Sequence, residues 1–237
     1  MERVDASGDG FADELARLKR QGASVLVVGP VSAAQQWDAC RRLMGQTADA
    51  TRRRVLVTTT GDHDHGHSSP FVDIDADAET ETLSVISYDG QPRSTARTGS
   101  AAPSTDPSIG SAVTAEVTTL ADLGIAISRA IESFERDASG LEPAELRVGV
   151  DSLLPLLEGY GRQPVFKFLH LINGRTRAAN GLAHYHLPVE RDDRTVPTLS
   201  PLFDVIVELR ERNGVSQERW TVSDGDHCSG WLSVGPD

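Results

Sequence analysis

Lysine is nearly absent from this chain. Of the 23 Lys+Arg, only Lys19 and Lys167 are lysine, against 35 Asp+Glu and a formal net charge of −12. Phosphate backbones want a basic face, so nucleic acid is a disfavoured partner. Cysteine is equally scarce, and Cys40 and Cys228 do not make a disulfide framework. Cys40 falls on an expected helix as a small core residue. No apolar run approaches the ~20 residues that span a bilayer. The opening MERVDASGDG carries no charged-then-apolar signal. The expectation is a soluble cytoplasmic protein with no membrane partner.

What is present is globular. Hydrophobic residues make up 38%, and with 21 glycines the share nears the ~45–50% usual for folded chains. Length favours one α/β domain. An acidic surface with little lysine suits concentrated salt, where charges are screened over ~3 Å at 1 M. A GC-rich genome also explains the arginines, but explains the 21 aspartates less directly.

Apolar periodicity orders the chain. Residues 1–10 are polar and read as a flexible N-terminus, before a short helix marked by Phe11, Leu15 and Leu18. Ala23–Val28 is short, β-branched and apolar throughout, as in a strand buried on both faces of a parallel sheet. Gly29-Pro30 breaks it. Ser32 caps a helix to about Met44, with Trp37, Cys40 and Met44 on one side. Strands follow at Arg54–Thr59 and Leu83–Tyr88; Val113–Val117 is a short strand or simply the lead-in to an amphipathic helix at Leu120–Arg136. The Gly/Pro/Ser/Thr-rich stretch 89–112 reads as a surface insert, with a domain linker as the rival reading. Leu146–Val150 is a further strand stopped by Asp151, then come a helical turn at 152–157 and a helix from Pro164 to Asn180. Gly181 falls where a helix C-terminus favours glycine, and Leu182–Leu187 follows as a strand. Phe203–Leu209, Glu218–Val222 and Gly230–Val234 alternate apolar and polar residues between Asn-Gly and Asp-Gly turns, as an antiparallel meander does. The sum is a mostly parallel, helix-covered sheet with antiparallel C-terminal strands.

A phosphate loop belongs after the first strand and needs Gly-x4-Gly-Lys-Ser/Thr. Counting from Gly29, the second glycine is Ala34, the lysine is Gln35 and the hydroxyl is Gln36. Leu146–Val150 followed by Asp151-Ser152 has the form of a Walker B strand, whose Asp would hold magnesium. This layout resembles the RecA/KaiC-like branch of P-loop ATPases, and more closely an uncharacterised haloarchaeal group with a degenerate Walker A motif. The resemblance covers roughly residues 11–234 and implies a RecA-like three-layer α/β/α sandwich. It also implies a glutamate after the second strand, where this chain has Thr58-Thr59-Thr60-Gly61-Asp62-His63. Without the loop lysine, hydroxyl and glutamate there is no obvious route to in-line hydrolysis. The expectation is a pseudo-ATPase that regulates or scaffolds through a protein partner, in signalling or transcriptional control, with self-association allowed. No catalytic residue and no cofactor are expected; Gly29, Ala34, Gln35, Gln36 and Asp151 are vestigial nucleotide-binding positions. The alternative is a weak nucleotide sensor or residual ATPase using ATP with magnesium.

Several other candidates carry two readings. Asp62-His63-Asp64-His65-Gly66-His67 is a metal loop built on His63, His65 and His67, near His184 and His186, or a solvated acidic loop. His184 and His186 share one strand face, and otherwise simply pack under a helix. Asp151 is a vestigial ligand or a helix N-cap. Arg175 and Arg177 reach across a subunit interface or line a solvated helix face. Trp220 and Trp231 read as core residues of the meander. Ser152 lacks the Gly-x-Ser-x-Gly spacing of a nucleophile elbow.

Overall fold

A computed structural model describes residues 6–45, 51–60, 82–90, 113–222 and 227–235. The helices are α1 (Ala6–Gln21), α2 (Ala33–Leu43), α3 (Leu120–Asp137), α4 (Leu154–Tyr160), α5 (Arg162–Ala178) and α6 (Thr195–Leu199), the last running into a 3-10 turn at Ser200–Leu202. The strands are β1 (Ala23–Val28), β2 (Arg53–Thr58), β3 (Leu83–Tyr88), β4 (Val113–Val117), β5 (Leu146–Val150), β6 (Leu182–Leu187), β7 (Val205–Arg212), β8 (Val215–Val222) and β9 (Leu232–Val234). All nine form one sheet in the order β4-β3-β2-β5-β6-β1-β7-β8-β9. Strands β1 to β7 pair in parallel, and β8 and β9 are antiparallel. The expected α/β class and antiparallel C-terminal edge are present.

The two sheet faces differ. Period-two alternation sends Ala183, Tyr185 and Leu187 of β6 into the larger core, with Leu123, Ile127 and Ile131 of α3 and Val165, Leu169 and Ile172 of α5. The α3 face follows its apolar spacing, and Thr119 Oγ1 accepts from the Asp122 amide at 3.1 Å to cap its start. The opposite face, under α1 and α2, holds two smaller apolar clusters. The outward residues of β5 and β6 on that side, Arg147, Gly149, His184 and His186, are a polar strip beneath α2.

Several boundaries depart from expectation. Helix α1 begins at Ala6, so the polar residues 6–10 belong to it rather than to a loose tail. Helix α5 ends at Ala178, and Asn180, not Gly181, takes the left-handed turn with φ 50°. An Asn tolerates that conformation, whereas Gly181 is small because a Cβ would stand 3.0 Å from Leu146 Cβ. Of the 89–112 insert, residues 91–112 lie outside the described residues. Among the described residues no helix is long and apolar enough to cross a membrane.

Candidate functional site

The loops after β1, β2, β5 and β6 open on one edge of the sheet, because these strands run parallel. The turn after β1 is closed from within. Ser32 and Gln35 form a capping box: the Gln35 amide donates to Ser32 Oγ at 3.3 Å, and the Ser32 amide donates to Gln35 Oε1 at 3.1 Å. The Gln36 amide donates to Ser32 O at 3.0 Å. The Ser32, Gln35 and Gln36 amides at the start of α2 are therefore engaged within the chain. The Gln35 side chain also donates to Glu211 at 3.1 Å and Ser216 at 2.8 Å.

Gln36 reaches back into the loop. Its Nε2 donates to the Gly29 carbonyl at 2.7 Å, which fixes the amide so that Oε1 meets His186 Nδ1 at 2.6 Å. Gly29 has φ 130°, and its backbone presses on Leu209 of β7 so closely that no side chain fits. The adjoining cleft of ≈ 430 Å³ is lined by three carboxylates, Glu190, Glu208 and Glu211, against Arg191 and Arg210. Glu208 is paired with Arg219, so acidic and basic groups balance there.

Asp151 does not cap α4. Its two oxygens accept from the amide and hydroxyl of Thr59 (2.8 and 2.7 Å) and of Thr60 (3.3 and 2.5 Å). It fastens the end of β2 to the end of β5. Helix α4 has Leu153 at its N-cap and no side-chain cap; just ahead of it, Ser152 Oγ accepts from the Leu154 amide at 3.2 Å.

Beneath α2 lies a group that joins His184 and His186, weighed above as metal-loop neighbours or as packing, to Cys40, expected only as a core residue. Cys40 Sγ is 3.2 Å from His184 Nε2, and both are 0% exposed, with His186 at 1%. One donor atom each from Cys40, His184 and His186 lies within 4.8 Å of the others. The match of repeats explains it. Gln36, Cys40 and Met44 recur every four residues, about 6 Å along the helix. His184 and His186 recur every two, about 6.6 Å along the strand. Helix and strand thus face one another rung by rung. Met44 completes the ladder: its Sδ and the His184 ring converge on Gly149, where a Cβ would lie 3.1 Å from Sδ and 2.7 Å from the ring Cε1.

Burial controls the protonation of this group. It raises the Cys40 thiol well above its ordinary value, with the Asp151 charge adding to the effect. Burial depresses His184 far below its ordinary value, helped by His186 and Arg147, and brings His186 down to about 3. Both imidazoles are neutral at pH 7. Because His186 Nδ1 donates to Gln36 Oε1, its Nε2 carries the lone pair, and that atom is buried with no hydrogen-bond partner among the described residues. His184 Nδ1 likewise has no hydrogen-bond partner among the described residues. Arg147, pushed down to about 10 chiefly by burial and then by Arg52 and Arg54, lies on the same side of β5.

A family model described as a family of unknown function (DUF7504) matches residues 22–209. The chain belongs to this family. The matched span contains the 29–36 turn, Cys40, Asp151, His184 and His186, and it leaves out α1, β8 and β9. No curated protein matches the chain.

The remaining candidates divide. His63, His65 and His67 lie outside the described residues. Arg175 donates to Glu135 at 2.5 Å, and Arg177 donates to Asp204 at 2.6 Å. Asp204 also accepts from the Ser24 amide and hydroxyl, both at 2.8 Å, so Arg177 steadies the β1–β7 seam. Trp220 packs partly buried against one of the smaller clusters. Trp231 is not a core residue: it is half-buried and stacked by Arg210, whose guanidinium carbon lies 3.5 Å from the ring centre, and by Arg219 at 4.7 Å.

Proposed function

We propose that this chain is a pseudo-ATPase, a RecA/KaiC-like cytoplasmic protein that regulates or scaffolds through protein partners without catalysing hydrolysis. The observation that carries this reading is Gln36. At the position of the loop hydroxyl it holds the Gly29 carbonyl and His186, and so fills the place where a phosphate would be cradled. Gln35, at the lysine position, is spent on the Ser32 cap, Glu211 and Ser216. The strand order supports the same ancestry. Strand β6 alone separates β1 from β5, so the turn at Gly29 and Asp151 open on one edge of the sheet. Asp151 is held there by Thr59 and Thr60.

The test is calorimetric titration with ATP in molar KCl, with and without magnesium. The expected result is no binding heat in either condition. Saturable heat requiring magnesium, or steady phosphate release abolished by Asp151→Ala, overturns the reading in favour of a nucleotide sensor or residual ATPase.

A further inference from the structure

We propose that Cys40, His184 and His186 form a buried site for a single copper(I) ion, with the Met44 thioether beside it. The donors already converge, each within 4.8 Å of the others, and Cys40 Sγ stands 3.2 Å from His184 Nε2. Around one ion with metal–sulfur ~2.3 Å and metal–nitrogen ~2.0 Å, neighbouring donors stand ~3.5–3.7 Å apart. The pocket therefore closes on an ion with side-chain adjustments of a few tenths of an ångström on this edge.

Two further observations point inward. His186 presents a buried Nε2 lone pair with no partner among the described residues, and its other nitrogen is held by Gln36. A ligating histidine is characteristically oriented in this way, by a hydrogen bond on the far side of the ring. Gln36 is in turn locked by the Gly29 carbonyl. Gly149 supplies the space, since any Cβ there would strike the His184 ring and Met44 Sδ.

The choice of ion follows from softness and charge. Thiolate and thioether favour Cu(I), and imidazole accepts it. The group is 0–1% exposed and faces Arg147, which acts electrostatically on His184. A thiolate with Cu(I) is neutral overall, whereas a thiolate with a divalent ion places a second net positive charge beside that guanidinium. On loading, the Cys40 S–H bond breaks as the S–Cu bond forms, and the proton leaves to solvent. No change of oxidation state is involved.

The test uses the full chain carrying Cys228→Ser, to remove the exposed thiol, under anaerobic conditions in concentrated potassium sulfate, since chloride itself ligates Cu(I). Cu(I) is offered in competition with a chromogenic Cu(I) chelator. The expected result is one ion held per chain, with one proton released, and the same ion count in a His63→Asn, His65→Asn, His67→Asn triple variant. Cys40→Ser is expected to weaken retention at least tenfold. X-ray absorption of the loaded protein needs no ligand variant and is expected to show one or two sulfur donors together with imidazole. No copper held against the chelator, copper lost in the triple histidine variant, a shell of nitrogen and oxygen only, or mole-for-mole displacement by Zn(II) overturns the proposal.

Discussion

Gln36 and His186 meet at 2.6 Å across the seam between α2 and β6, and this contact governs both the loop above it and the cluster below it. The Gln36 amide is oriented by Gly29, and the His186 tautomer is oriented by Gln36. One side chain thus keeps the turn after β1 closed and leaves His186 Nε2 as the lone-pair nitrogen of a ring grouped with Cys40 and His184.

Removing that side chain exposes its worth. Gln36→Ala leaves a buried imidazole N–H and the Gly29 carbonyl without their partner. The expected loss is ~1–3 kcal/mol of unfolding free energy, the usual cost of orphaning a buried polar group. Urea unfolding in constant high salt measures it. Gln35→Ala, whose bonds lie nearer the surface, should lose clearly less. Equal effects would mean that Gln36 is not the keystone of the turn.

Gly149→Ala probes the packing on the other side. The new methyl would lie 2.7 Å from His184 Cε1 and 3.1 Å from Met44 Sδ. Met44 can yield, but the ring is enclosed, so overpacking is expected to cost ~1–3 kcal/mol. Thermal unfolding should fall by several degrees, and Met44→Ala placed in the same chain should recover part of the loss. A Gly149→Ala protein as stable as the parent would contradict the observed crowding.

Acid should destabilise the fold earlier than carboxylate titration alone would. His186 falls from 6.5 to about 3 on folding, and His184 is lowered well below 6.5. Below pH 6.5 the unfolded chain takes up protons at both residues while the folded chain does not. Stability is therefore intact above 6.5 and declines as pH falls, by ~1.4 kcal/mol per unit for each histidine. Unfolding free energy should be lower at pH 5.5 than at pH 7.5 by roughly 3 kcal/mol. A flat profile across that interval would show that the two imidazoles are not buried in neutral form.

Salt should act in the opposite sense to its usual effect on surface ion pairs. With a net charge of −12, self-repulsion grows as the Debye length lengthens from ~3 Å at 1 M to ~10 Å at 0.1 M. Melting temperature should drop measurably when KCl is reduced from molar to ~0.1 M. Isolated pairs such as Arg53–Glu145 would strengthen over the same change, so a rise in melting temperature would assign the stability to them instead.

Much of this architecture is legible in local pattern. Strands β1, β3, β4, β5 and β6 have the bounds that their apolar runs indicate, and Ser32 caps α2 as its side chain favours. The same local reading misplaces Asp151, because an Asp before a helix is a good cap in isolation. Only the neighbouring end of β2, with Thr59 and Thr60, offers it four better donors. Arg175 and Arg177 read as a solvated face until α3 supplies Glu135 and the turn before β7 supplies Asp204.

By itself the sequence determined the order of the strands and longer helices, the acidic composition and the loss of the loop lysine and hydroxyl, since each is written in adjacent residues or in a short repeat; the short helix α6 was not among them. Tertiary structure alone decided that Gln36 closes the turn and that Cys40 faces His184. Those partners are 150 and 144 residues apart along the chain. Each repeat is visible separately, four residues on α2 and two on β6. Their meeting depends on the sheet order, which sets β6 between β5 and β1 under a helix that follows β1. Long-range strand pairing makes that choice through burial of whole faces, and no local signal near either residue encodes it.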